Sequence, residues 1–227
     1  MKKENEVHSV EDTIIHYVFD AIFSKKLHPG LKLSESVFAQ DFNVSRDQIR
    51  KAFSQLQSMG ILTYKKNQGF SVKWLTQKET KDVYKARNVL EVGIITIITQ
   101  KQALGEIDLS SLDEDIETEE YLKVTLQNGE YVKTSCDFHL NLALLSQNDF
   151  LLNALKPLIP LSILAGLIYQ DSNTTFCSYE EHRNLIKAIK SNDVEYAKSI
   201  MNNHLHNCVE ALNFDKPVSK NSFGGDV

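Results

Sequence analysis

The stretch from 34 to 74, SESVFAQDFNVSRDQIRKAFSQLQSMGILTYKKNQGFSVKW, constrains the chain more than any other, because its local signals permit one order of elements. Ser34 can N-cap a short helix whose apolar positions Val37, Phe38 and Phe42 share a face. Asn43 tolerates a left-handed backbone and suits the turn that follows. Ser45 then opens a second helix, with Gln48 three residues on completing a capping box. Ile49, Ala52, Phe53, Leu56 and Met59 repeat at helical spacing until Gly60 stops them. Residues 61–64 and 70–74 are β-prone, and Lys65-Lys66-Asn67-Gln68-Gly69 joins them as a basic hairpin tip. Helix, tight turn, helix and basic hairpin together predict a winged helix-turn-helix.

The first turn of a recognition helix reaches base edges in the major groove. Here that turn carries Arg46, with Arg50 and Lys51 one turn later. Arginine forks onto guanine or grips phosphate. Solvated surface charge is the ordinary alternative, and for Lys51 it stands equally well. Asp47 favours the helix dipole but repels phosphate, unless it accepts from a cytosine amino group. The expected DNA-contacting set is Ser45, Arg46, Asp47, Gln48, Arg50, Lys65, Lys66, Gln68 and Gly69.

The run LSESVFAQDFNVSRDQIRKAFSQLQSMGIL followed by NQGFSV closely resembles the DNA-binding domain of GntR-type bacterial transcription regulators. Val44, Ser45, Arg46, Arg50, Ala52, Leu56 and Gly60 match that family's pattern, and the Pro29-Gly30 turn leads in as the family's does. Two positions depart from it. Gln68 stands where the wing usually has arginine, and Ser36 where many relatives place a DNA-contacting arginine. Both remove positive charge, so DNA affinity or preference should differ from the family norm.

At 227 residues and 42% hydrophobic content, the chain can form two compact domains. Residues 1–75 hold 11 Lys+Arg against 8 Asp+Glu; the remainder holds 14 against 22. A net charge of +3 ahead of −8 fits nucleic-acid binding at one end only. Cys136, Cys177 and Cys208 form no CxxC and suggest no disulfide framework. The first ten residues lack a signal-peptide core, and the apolar run 158–169 is too short to span a bilayer and contains Pro160. A soluble, cytoplasmic protein with no membrane partner is expected.

Residues 11–23 carry a helical stripe that should pack under the two helices already described. Beyond 75 the pattern is wholly helical. Thr76 and Glu79 form a capping box for a helix running to about 104, with Val83, Ala86, Val89, Leu90, Ile94 and Ile98 as its apolar positions. Further helices are expected at 109–127 (ended by Asn128-Gly129), 131–145, 150–168 (bent by Pro157 and Pro160), 178–190 and 194–212. The fold class is therefore mainly α: a winged helix-turn-helix at 1–75, an antiparallel helical bundle at 76–215, and a disordered tail at 216–227.

Six helices behind a winged unit resemble the FadR-like branch of the GntR family, with its all-helical FCD effector domain. Arg87 with Glu91, Phe138-His139, Glu181-His182-Arg183 and His204-Leu205 carry this resemblance. His182 and His204 lie about ten residues on either side of one turn, so antiparallel helices bring them to similar height. His139, His182 and His204 match the family's three metal-binding histidines, which implies a divalent cation such as Zn²⁺ or Ni²⁺. Relatives usually carry Asp or Asn four residues before the first histidine; here that position is Ser135. A metal held there should bind more weakly, and Ser135→Asp should tighten it. Cys136 and Cys208 share helix faces with these histidines, as thiolate ligands or as small buried residues.

Arg87 matches the family's arginine on the first helix of that domain. It can grip a carboxylate effector, with Ser135 as a second effector-facing position, or pair with Glu91. The resemblance implies a homodimer on a pseudo-palindromic operator, controlled by a small metabolite, and no catalysis. Two alternatives stay open. One is a regulator that senses the metal itself; the other is a three-histidine metal enzyme, disfavoured because no Asp or Glu lies three or four residues from any of the histidines.

Overall fold

The computed structural model describes residues 9–125, 128–170 and 178–219. Among these, 9–74 with 219 form one compact unit and 75–218 a second.

In the first unit, α1 (Val10–Phe23) opens on a capping box between Ser9 and Asp12 and buries Ile14, Ile15, Val18 and Ile22. A two-residue strand, β1 (Lys32–Leu33), precedes α2 (Glu35–Asp41) and α3 (Arg46–Ser58). Ser45 Oγ accepts from the Gln48 N–H, and Gln48 Oε1 accepts from the Ser45 N–H at 3.1 Å. Asn43 and Gly60 take the left-handed backbone, φ 52° and 78°, that their turns demand. Two core expectations fail: Val37 and Met59 are both exposed, the one in the first turn of α2, the other at the C-cap of α3. Ser45→Ala is expected to cost this unit about 1 kcal/mol, read as a lower urea midpoint with unchanged slope.

β2 (Leu62–Lys65) and β3 (Gly69–Val72) pair antiparallel, closing at Lys65↔Gly69. The sheet order is β1-β3-β2. β1 was not expected, because two residues are too few to show a period. Phe38, Phe53 and Phe70 meet edge to face at 5.1 and 5.3 Å, tying α2, α3 and the wing into one core.

The second unit has seven helices among the described residues: α4 (Gln77–Ala103), α5 (Ser110–Val124), α6 (Asn128–Leu145), α7 (Asp149–Leu155), α8 (Leu158–Tyr169), α9 (Tyr179–Lys190) and α10 (Val194–Glu210). The expected bent helix over 150–168 is α7 and α8, separated at Lys156-Pro157. Pro157 lacks the N–H that a continuing helix needs; Pro160 lies in the first turn of α8, where no intrahelical acceptor is required. Asn128 opens α6, where a stop for the helix before it was expected; α5 already ends at Val124.

α4 lies against α6 to α10, and α5 against α6 and α9. Asp149–Tyr169 is long and apolar enough to be weighed as a membrane span. Ten of the twelve α8 residues are nonetheless buried, as in the central helix of a bundle. Of the apolar positions expected on α4, Val83, Ile94 and Ile98 are buried, whereas Ala86 and Val89 face outward. The Val218 N–H donates to Ile168 O at 2.7 Å, so the expected loose tail is hydrogen-bonded at its start. Residues 220–227, and Cys177, lie outside the described residues.

Candidate metal centre and nucleic-acid interface

The capped start of α3 exposes two arginines on a common carboxylate. Arg50 Nε and Nη2 donate to the two Glu35 oxygens at 3.0 and 2.9 Å, and Arg46 Nη2 lies 3.8 Å from Glu35 Oε2. The Glu35 hydrogen bond and charge raise the Arg50 pKa further above its ordinary value. Glu35 was absent from the expected set, because nothing in a fifteen-residue separation links it to Arg50. Ser45 and Gln48 use their side chains on the cap. Asp47, Lys65, Lys66 and Gln68 are exposed, and Gly69 sits at the hairpin closure with φ 77°.

In the helical unit, the ligand nitrogens of His139 (α6), His182 (α9) and His204 (α10) all lie within 4.8 Å of one another. None of the three is more than 2% exposed. Each presents Nδ1 to its own carboxylate. His139 meets Glu91 at 2.5 Å, His182 meets Glu119 at 2.9 Å, and His204 meets Glu181 at 2.7 Å. A carboxylate only accepts, so each Nδ1 carries the proton and donates. His182 Nε2 and His204 Nε2 face each other at 3.4 Å. Two ligands at Zn–N lengths of 2.0–2.1 Å and a tetrahedral angle stand about 3.3 Å apart, so the pair is spaced for one ion.

Charge argues the same way. Burial alone would raise the Glu91 carboxyl, but Arg87 and His139 hold it down to about 2. Burial pushes His139 down to about 3 and lowers His182, keeping both rings neutral. Burial opposes charging His204, yet Cys208 and Glu181 outweigh it and push its pKa up to about 10. At neutral pH that ring takes a second proton facing His182, unless a cation stands in its place. Three carboxylates against one guanidinium, Arg87, formally leave two negative charges for a divalent ion to balance. The donor set therefore fits such a metal.

Arg87 is 1% exposed, donates from Nε to Glu91 at 2.6 Å and from Nη1 to Ser162 Oγ at 3.1 Å. It points into the bundle and forms the Glu91 pair as well. Ser135 is buried and donates from Oγ to Glu119 Oε2 at 2.9 Å. Burial pushes the Cys136 thiol pKa up, away from a thiolate, and Cys208 Sγ lies 3.9 Å from His204 Nε2.

No Asp or Glu lies three or four residues from any of the histidines, yet the fold brings a carboxylate to each of them. Glu91 comes from α4 and Glu119 from α5, neither on its histidine's own helix, and Glu181 precedes His182 but reaches across to His204. Spacing along one helix could not find them. A signal was present for two of them: Glu91 falls in phase with the buried Tyr84, Ile94 and Ile98, and Glu119 with the buried Leu112, Ile116 and Leu122, core positions for an acid.

The FCD domain model matches residues 82–207, and the model of the bacterial regulatory proteins of the gntR family matches 11–72. The chain is 28% identical over 190 residues to the uncharacterized HTH-type transcriptional regulator YdhC of Bacillus subtilis, across 82% of this chain and 84% of that one. It is 26% identical over 209 residues to the HTH-type transcriptional regulator LutR of Bacillus subtilis, across 82% and 94%. Its fold matches a structure described as a transcriptional regulator GntR from Rhodococcus sp. RHA1, with TM-score 0.76 at 19% identity, covering 89% and 97% of the two chains.

Proposed function

Since this chain belongs to the GntR family of bacterial regulatory proteins and carries an FCD domain, we propose that a small carboxylate metabolite, bound beside a divalent metal in the helical unit, sets its affinity for operator DNA. The protein is a DNA-binding transcription regulator and not an enzyme, as its relatives are. The observation that carries the proposal is the buried triad His139, His182 and His204, with a proton-donating Nδ1 held on each ring and two negative charges in excess. Zn²⁺ or Ni²⁺ would be held by the three Nε2 atoms, and water or the effector's carboxylate would complete the shell. Arg87 would help to orient that carboxylate from beside Glu91, with Ser135 on the other flank. Loading would bias the placement of the winged units and so alter DNA affinity.

The helical unit behind a winged one supports the FadR-like branch. A homodimer on a pseudo-palindromic operator, acting in the cytoplasm, is the arrangement this reading requires. Val89 on α4 and Phe150 on α7, 76% and 90% exposed, are apolar side chains that a second copy would cover. The contacts to DNA are assigned to Ser45, Arg46, Asp47, Gln48, Arg50, Lys65, Lys66, Gln68 and Gly69. Arg46→Ala is expected to cost about 1–3 kcal/mol of specific binding, while Lys65→Ala and Lys66→Ala weaken all sequences and flatten the salt dependence. Fluorescence anisotropy on a site selected from random DNA measures both. Unchanged affinity in a folded Arg46→Ala protein would overturn the recognition-helix assignment.

Elemental analysis of protein purified without a histidine tag tests the metal. Less than roughly a tenth of an equivalent, unrestored by Zn²⁺ or Ni²⁺, counts against it. The near-complete ligand set also supports a second reading, in which the metal is itself the signal. Metal-dependent operator binding with no organic ligand would select that reading.

A further inference from the structure

Glu119 is the least expected member of the cluster. It is 0% exposed, on a stripe of α5 otherwise made of Leu112, Ile116 and Leu122. A carboxylate in such a place is strongly disfavoured unless its oxygens are fully engaged. Its two oxygens face one imidazole and one hydroxyl. His182 Nδ1 lies 2.9 Å from Oε1 and 3.1 Å from Oε2, and Ser135 Oγ donates to Oε2 at 2.9 Å. Two ion pairs, Arg183–Glu120 and Lys190–Asp113, join α9 to α5 on either side of it. Phe138 stacks on the His182 ring at 4.2 Å, so the ring is fixed in its plane as well as at Nδ1.

We infer that Ser135 and Glu119 act as one positioning unit, in which the hydroxyl fixes a carboxylate delivered from α5 and that carboxylate sets the tautomer of His182, presenting Nε2 to the cation. The inference rests on the metal reading above and gives its carboxylate a different origin. The negative charge that a residue at 135 could have supplied on α6 instead arrives across the helix interface, behind the imidazole. Ser135 is then not a ligand of the cation. Its role is to donate to Glu119, which an aspartate cannot do once ionised.

The consequence is a reversal of sign. An aspartate at 135 would set a second carboxylate against Glu119 at hydrogen-bonding distance, where like charges repel strongly. Ser135→Asp alone should therefore weaken metal binding, contrary to the expectation from sequence. With Glu119 removed, the same substitution should help, because one carboxylate again faces one site.

The test is Zn²⁺ affinity of the full chain, by competition with a chromophoric chelator, for wild type, Glu119→Leu, Ser135→Asp and the double variant. Leucine suits the apolar stripe of α5, and circular dichroism confirms folding. We expect Glu119→Leu to weaken Zn²⁺ about 10–100-fold, the range found when partners behind a ligating histidine are removed. Ser135→Asp should also weaken it, and the double variant should bind more tightly than either single one. Wild-type affinity in Glu119→Leu, or tighter binding in Ser135→Asp alone, overturns the inference. If wild type takes up no Zn²⁺, the metal reading fails, and the pair is judged in the metal-free protein. There ¹⁵N shifts of the His182 ring should show the proton on Nδ1 in wild type and its loss from Nδ1 in Glu119→Leu. An unchanged tautomer overturns the inference on its own.

Discussion

Arg87→Ala is expected to destabilise the helical unit by about 3–5 kcal/mol, the range for breaking a buried ion pair by removing one partner. Arg87 is among the largest fully buried side chains, and its guanidinium bridges Glu91 on α4 and Ser162 on α8. Without it, Glu91 keeps its negative charge 2% exposed, and the guanidinium that offsets it is gone from the cluster. A void is also left where α4 meets α8. Replacing both partners should be milder: Arg87→Met/Glu91→Leu removes the charge along with its counterion, and the remaining cost is the His139 Nδ1 proton that loses its Glu91 acceptor. Trp74, the chain's one tryptophan, lies in the winged unit, whereas far-UV ellipticity is dominated by the helical one. Urea unfolding followed by both signals therefore separates the two units. A loss below about 1 kcal/mol in the ellipticity transition would show that Glu91 is not ionised in the folded protein.

How far the sequence spoke depended on whether a signal was local. In the winged unit each boundary rests on residues within a turn of it: Ser45 with Gln48, Asn43, Gly60, and the five-residue hairpin tip. All of these were legible. β1 was not, because a two-residue strand exists only through its pairing with β3. Pro157 was read as a bend and Pro160 with it; the two differ only in how far each lies past a helix start, which the apolar pattern of 150–168 does not reveal. Val89 fell on the expected α4 stripe, yet the helix turns it outward, since a 27-residue helix offers more than one apolar face.

The site divides the same way. Counting residues either side of the turn at 191–193 placed His182 and His204 at one height, and their Nε2 atoms lie 3.4 Å apart. His139 joined them by resemblance alone. The three glutamates were invisible to spacing, because partners from neighbouring helices have no fixed sequence separation. What was readable is that Glu91 and Glu119 each interrupt an apolar stripe, Glu91 among Tyr84, Ile94 and Ile98, Glu119 among Leu112, Ile116 and Leu122. An acid in phase with a core stripe cannot stay ionised there alone, so its position by itself calls for a buried histidine or cation as partner.

Zn²⁺ or Ni²⁺ at saturation is expected to raise the melting temperature of the helical unit by roughly 8–16 °C over chelator-treated protein. The ligands come from α6, α9 and α10, and their carboxylate partners from α4, α5 and α9, so the assembled set exists only in the folded bundle. A ligand that binds the folded state alone adds about 4 kcal/mol at a thousand times its dissociation constant. For a domain of this size each kcal/mol moves the midpoint by about 2–4 °C. The Trp74 fluorescence transition should stay in place, because the winged unit holds none of the ligands. His182→Ala should abolish the shift: it removes the imidazole between Glu119 and His204, leaving two histidines to face the cation. It should also lower the metal-free midpoint, since Glu119 loses the donor at 2.9 Å that offsets its burial. A shift of the same size in His182→Ala would place the bound metal elsewhere, and no shift in wild type would leave the three imidazoles to a metal-free ligand.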